Sequence, residues 1–304
     1  MDMPVRTFAG HRKAVEAVAV SPDGQYLASA GQDQSVILWS LKTGKLKKVI
    51  GGHTDSVWAL DFSPKEDILA SVGNQTIEFW KIPGGANTDT IVGQSFSIYS
   101  LKFSPDGEYI ASGGFKCIGI WTVKTGATYK VLKGHSGGVN SIAFLPSGLA
   151  MISGGADGVL NVWNIAGGNI TRSIKAHAEP IRCVSLSPDG AYAATASLDG
   201  TVKVWRLSDG AVINTFKAHE GGARTVAFSP DGRYVASGGL DGPVKLWTLA
   251  SKDPVKIYIG HADSVEALAF FPDGKMLVSG SKDATVKLWA LPPAGEIEKS
   301  KLTK

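Results

Sequence analysis

The stretch HEGGARTVAFSPDGRYVASGGLDGPVKLW, residues 219–247, decides the fold. It opens on a histidine, reverses at Ser229, Pro230, Asp231 and Gly232, and closes on a tryptophan, with short runs of Val, Ala and Phe between these marks. Such runs are too short and too β-branched for helices. In the turn, Pro presets one φ and Gly supplies the positive φ of a later corner, so the chain folds back on itself as a hairpin. One such unit holds about four strands.

The same unit recurs along the chain. Trp39, Trp80, Trp121, Trp163, Trp205, Trp247 and Trp289 are separated by 41, 41, 42, 42, 42 and 42 residues, and only Trp58 stands outside the series. All six histidines (His11, His53, His135, His177, His219 and His261) fall on this period. Turns of the SPDG type place Pro22, Pro64, Pro105, Pro146, Pro188, Pro230 and Pro272 eleven residues after each histidine slot. A period of about 40 to 45 residues with this pattern is the sequence sign of a propeller blade. Seven marks imply seven blades.

Composition agrees and narrows little else. The 304 residues are 43% hydrophobic and 19% charged, enough to bury a core and unlike a disordered tail. Length alone would allow two domains, yet closed β folds often exceed 200 residues as one unit. A formal charge of +4 over this length does not announce a nucleic-acid or anionic-membrane binder. No stretch reaches the roughly 18 apolar residues of a membrane span, and the opening MDMPVRTFAGH lacks the character of a signal peptide. Cys117 and Cys183 are too few for a disulfide framework and have no CxxC spacing, which fits small buried residues in a reducing, cytoplasmic setting.

From about Val5 to Ala290 the chain resembles the WD-repeat family. The resemblance implies an all-β, seven-bladed β-propeller of four-stranded antiparallel blades, a single unit over 1–292 with a polar tail at 293–304. Repeats are expected near 5–40, 46–81, 88–122, 128–164, 170–206, 212–248 and 254–290. In that family a repeat is out of phase with a blade, so the N-terminal segment is expected to supply the outer strand of the last blade and close the ring. One departure is complete: the residue after each Trp, often Asp in the family, is Ser40, Lys81, Thr122, Asn164, Arg206, Thr248 or Ala290.

The resemblance also assigns a buried hydrogen-bond set in five repeats: His11, Ser29, Asp33 and Trp39; His135, Ser153, Asp157 and Trp163; His177, Thr195, Asp199 and Trp205; His219, Ser237, Asp241 and Trp247; and His261, Ser279, Asp283 and Trp289. A neutral imidazole can stand between a carboxylate and a hydroxyl whose other partner is the indole N–H. Ser, His and Asp together also suggest a hydrolase triad, but five equivalent buried sets argue for a structural role repeated in each blade. Repeats 2 and 3 break the rule: Asn74 replaces the Asp in one, Gln94 and Phe115 replace His and Asp in the other, and both stretches before the Trp are one residue shorter.

The innermost strands carry an irregularity. Apolar residues at Val15, Val18 and Val20 step by three and then two, as an inserted bulge residue would require. Of the two residues in the longer interval, the second is always small, from Ala17 round to Ala267, whereas the first varies: Glu16, Trp58, Tyr99, Asn140, Arg182, Arg224 and Glu266. By resemblance this variable position faces the top mouth of the central channel, the face most used for partners, joined by the residue before the tetrad Asp, including Leu198, Leu240 and Lys282.

Trp58 and Tyr99 form an aromatic sector, Arg182 and Arg224 a basic one, and Glu266 with Glu16 an acidic closure. Aromatic and Arg residues dominate binding hot spots. The expected ligand is therefore a protein or peptide segment with an acidic or C-terminal group near the arginines and an apolar or basic group near Trp58. The expected protein is a monomeric scaffold with no cofactor, metal or membrane contact and no catalysis. Two alternatives carry less: Glu16 and Glu266 as a carboxylate pair for a hard cation or acid–base work, and Arg182, Arg224 and Lys282 as a weak nucleic-acid site.

Overall fold

A computed structural model describes residues 3–92 and 97–293, and these form strands and turns with no helix. In blade 1 the strands Val15–Val20, Tyr26–Gly31, Val36–Ser40 and Lys45–Ile50 pair antiparallel in chain order, from the channel outward. Blades 2, 5 and 6 repeat this arrangement. Blades 3 and 4 share one long strand, Thr128–Phe144, whose first part closes blade 3 and whose second part opens blade 4. The result is one seven-stranded sheet beside five of four strands.

In blade 7 the N-terminal strand Arg6–Ala9 pairs with Thr285–Ala290 as the outermost strand, so the last blade is completed by the first residues of the chain. Each innermost strand lies against those of its two neighbours, and Val265–Phe270 of blade 7 lies against Val15–Val20 of blade 1. The ring is closed.

The core lies between blades. Trp80 of blade 2 packs with Leu38 and Ile50 of blade 1, and Trp247 of blade 6 packs with Val204 and Phe216 of blade 5. All seven periodic tryptophans are buried. Each covers about 150 to 250 Å², roughly 4 to 6 kcal/mol gross at about 25 cal/mol per Å². At the ring closure Phe8 takes its place in this scheme, with its ring 5.2 Å from that of Trp39.

Strand direction sorts the turns. Bulge and tetrad turns share one end of the ring, the mouth end, while the SPDG-type turns lie at the other. In blade 1 the Ser21 hydroxyl donates to Asp23, and Gly24 takes φ 68°. The turn after the tetrad Asp needs a left-handed residue, which is Gly158, Gly200 or Gly242 in three blades but Gln34 and Ala284 in two others. The shortened turns of blades 2 and 3 place Asn74 and Lys116 in the same conformation. Gln94 and residues 294–304, most of the expected tail, lie outside the described residues.

One expectation needs correcting. Cys117 is buried, but Cys183 is only half-buried, because it occupies the small position beside a bulge and so lines the channel wall.

Candidate functional site

Two sets of polar side chains meet at the mouth end. The first is the periodic one. In blade 1, His11 Nδ1 lies 3.0 Å from the Asp33 carboxylate, its Nε2 lies 2.8 Å from Ser29 Oγ, and Trp39 Nε1 donates to that same oxygen at 2.9 Å. The direction of donation is fixed by chemistry: indole N–H to hydroxyl, hydroxyl to Nε2, Nδ1–H to carboxylate. Blades 4, 5, 6 and 7 repeat the chain through His135, His177, His219 and His261.

Burial pushes the imidazoles of His177, His219 and His261 below the usual range, only partly offset by their aspartates. Burial alone would raise the Asp283 carboxyl, but hydrogen bonds from Thr285 and His261 outweigh it and bring it down to about 2. These groups have their partners within the fold, and their hydroxyls are buried. Blade 2 keeps part of the chain, His53 to Ser71 at 2.7 Å and Trp80 to Ser71 at 2.7 Å, without an aspartate.

The second set is aperiodic and comes from the bulges. Pairing slips by one residue between Val15 and Ala17, Val57 and Ala59, Val139 and Ser141, Ile181 and Cys183, Ala223 and Thr225, and Val265 and Ala267. The extra residue in each slip is Glu16, Trp58, Asn140, Arg182, Arg224 or Glu266. In blade 3 the Tyr99 N–H donates to Gly113 C=O just ahead of the first paired residue, Ser100. Such insertions re-aim a side chain out of the ladder. All seven line one open cavity of about 610 Å³ at the channel mouth.

Charges within the mouth are sorted differently from the sectors expected of the sequence. Arg224 does not stand with Arg182 as a free basic pair; its Nε faces Glu266 at 3.9 Å, and Lys282 Nζ reaches the same carboxylate at 3.6 Å. Ser264 also donates to Glu266 at 2.5 Å. Glu16 is held separately, by Gln32 at 2.7 Å, and burial followed by the charge of Glu266 raises its carboxyl above the ordinary value. The Arg182 side chain has no hydrogen bond or ion pair within 4 Å among the described residues, and burial first, then Arg224, works against its charge.

Other candidates are placed as follows. Asn140 spends its amide on Ile181 C=O at 2.7 Å, a strut between blades 4 and 5. Leu198 and Leu240 do not line the mouth cavity; they flank the Gly221–Gly222 turn, whereas Ala156, at the same position in blade 4, does line it. Lys282 reaches inward through its ion pair. Trp58 and Tyr99 are 36% and 39% exposed.

One residue joins them that the repeat pattern hid: Phe115, 52% exposed, lines the same cavity. It occupies the slot of the missing tetrad Asp, and the signal was there in the shortened third repeat. Gly138 leaves room beside the aromatics, since a Cβ there would come 3.2 Å from the Tyr99 ring.

Comparison with known proteins agrees with the fold. Residues 2–40, 44–81, 85–121, 126–164, 168–206, 210–248 and 252–290 match the family described as WD40, "WD domain, G-beta repeat". The chain is 42% identical over 73 residues to the small ribosomal subunit protein RACK1 of Glycine max, covering 24% of this chain and 22% of that protein. It is 37% identical over 73 residues to the nuclear distribution protein PAC1-1 of Uncinocarpus reesii, covering 23% and 16%. With the eukaryotic translation initiation factor 3 subunit I of Pyricularia oryzae it shares 30% over 64 residues, covering 21% and 19%. These matches span about a fifth of each relative's length.

Proposed function

Since the chain belongs to the WD-repeat family, with repeats matched from residue 2 to residue 290, we propose that it is a non-enzymatic scaffold that binds a polypeptide segment at its channel mouth. The observation that carries this reading is Arg182, a half-buried arginine whose guanidinium has no ion partner within 4 Å among the described residues, on the wall of an open cavity that Trp58, Tyr99 and Phe115 also line. A half-desolvated cation without a partner is costly, and a carboxylate arriving in bidentate geometry offsets that cost. The aromatic side supplies exposed apolar surface of the kind that anchors partners.

Relatives named as a ribosomal-subunit protein and an initiation-factor subunit favour a place in a multi-protein assembly. The described residues contain no helix long and apolar enough to cross a membrane.

The test is a displayed library of random peptides, free at their C-termini, selected on the intact protein. Selected sequences should carry a carboxylate spaced from an aromatic or aliphatic anchor. Their affinity should fall at least 30-fold, about 2 kcal/mol, on Arg182→Glu and on Trp58→Ala with the melting temperature unchanged. Full retention of affinity by both folded variants would remove the mouth as the site.

A further inference from the structure

We propose that the outer rim of blade 1 is a second binding surface, separate from the mouth, for the phosphate backbone of a nucleic-acid duplex. Residues 5–50 hold seven Lys and Arg against three Asp and Glu, so this segment accounts for the whole formal charge of +4 and the rest of the chain nets to zero. None of the three acids faces the rim. Glu16 is in the mouth, Asp23 is tied into its turn by Ser21, and Asp33 is held by His11.

The fold then concentrates the cations. Lys45, Lys47 and Lys48 stand exposed on the outer strand Lys45–Ile50, and Lys42 stands exposed on the turn that leads into it. Arg6 arrives from blade 7: its guanidinium lies so close over Gly44 that a Cβ there would come 1.5 Å from Nη1. Five cations from two blades thus line the outer edge of blade 1, Arg6 over the Gly44 turn and Lys48 leaning towards Gly85 of blade 2, and none has a side-chain hydrogen bond or a carboxylate within 4 Å among the described residues.

Edge protection does not account for this. Lysines do guard sheet edges against pairing, but the outer strands of blades 1 to 5 are already interrupted by a bulge. The outer strand of blade 2, Ala86–Val92, manages with no cation at all. On blade 4 the charges are spent locally, Arg172 on Ser208 and Asp209 carbonyls and Lys175 on that of Asp157.

The chemistry of this edge selects the occupant. Lysine is depleted at protein–protein interfaces, so four of them with a single arginine fit a field of point anions better than an acidic protein surface. The apolar side chains between them, Leu46 and Val49, are only half exposed and short, which gives little to insert into a bilayer. No aromatic ring stands on the strand to stack unpaired bases, which leaves the backbone of a duplex.

The experiment is fluorescence anisotropy of the full chain with a labelled 20-base-pair RNA duplex and its DNA counterpart, from 50 to 200 mM salt. Five phosphate contacts predict a loss of affinity of about 500-fold across that range, falling to about 40-fold for the Lys45→Gln/Lys47→Gln protein. Trp58→Ala should leave duplex binding unchanged, so failure here and failure of the peptide site are distinguishable. RNA-only binding would assign the A-form duplex, and equal binding would assign the phosphates alone. Absence of binding at 50 mM salt, a salt dependence untouched by the double variant, or capture by phosphatidylserine vesicles in place of either duplex would overturn the proposal.

Discussion

At the scale of single residues, the same chemical types serve two ends according to burial. A periodic tryptophan such as Trp205 is enclosed and donates to Thr195 at 3.0 Å, whereas Trp58 lies in the mouth with its ring partly in water. Trp205→Ala should therefore cost about 3 to 5 kcal/mol, seen as a lower midpoint in denaturant, while Trp58→Ala should shift it by less than about 1. The tetrads predict a pH dependence as well. Unfolded imidazoles titrate near 6.5, and burial lowers those of His177, His219 and His261, so the unfolded chain takes the proton first. Stability is then complete above about pH 6.5 and falls as pH drops through the lowered values. Asp283 acts in the same direction further down: its contribution is present above roughly pH 4 and is lost towards about 2. Melting temperatures at pH 7.5, 5.0 and 3.0 should decrease in that order. A higher melting temperature at pH 5.0 than at 7.5 would contradict this assignment of protons.

At the scale of strands and turns, much was legible because each element answers to local chemistry repeated seven times. The bulges could be read from the three-then-two step of the inner strands, since a side chain's face follows from its position in a strand. What could not be read was direction beyond the strand. Arg224 and Glu266 are 42 residues apart, one blade, and only the folded ring shows that the arginine leans on the glutamate and leaves Arg182 alone. Phe115 was masked because its slot belongs to a buried pattern elsewhere; a turn one residue shorter turns it outward. The turns also carry an avoidable cost. Ala284 holds φ 64° where three other blades use glycine, and a left-handed alanine is worth roughly 1 kcal/mol against folding. Ala284→Gly should raise stability by about that amount in a denaturant titration. The closing strand offers an opposite case. Phe8 is buried against Trp39 across the ring closure, and Phe8→Ala should cost about 3 to 5 kcal/mol and lower the melting temperature by roughly 5 to 8 °C.

At the scale of the whole molecule, labour is divided between a repeated skeleton and the few side chains that break the repeat. The skeleton fixes a closed ring whose inner strands present one re-aimed residue per blade to a shared cavity of about 610 Å³. In six blades those residues come from bulges, which take them out of the regular pleat, and charge, amide and aromatic alternate round the mouth while their small neighbours vary little in size. Net charge behaves in the same way: weak when averaged over 304 residues, it is focused when assigned to blade 1. Substituting Trp58, Tyr99, Phe115 and Arg182 together with serine, and recording the thermal melt and the affinity for a library-selected peptide on the same sample, tests this division most directly. The account predicts a melting temperature within about 3 °C of the parent and peptide binding reduced beyond detection. A quadruple variant that melts more than 10 °C lower, or that folds and still holds the peptide, would contradict it.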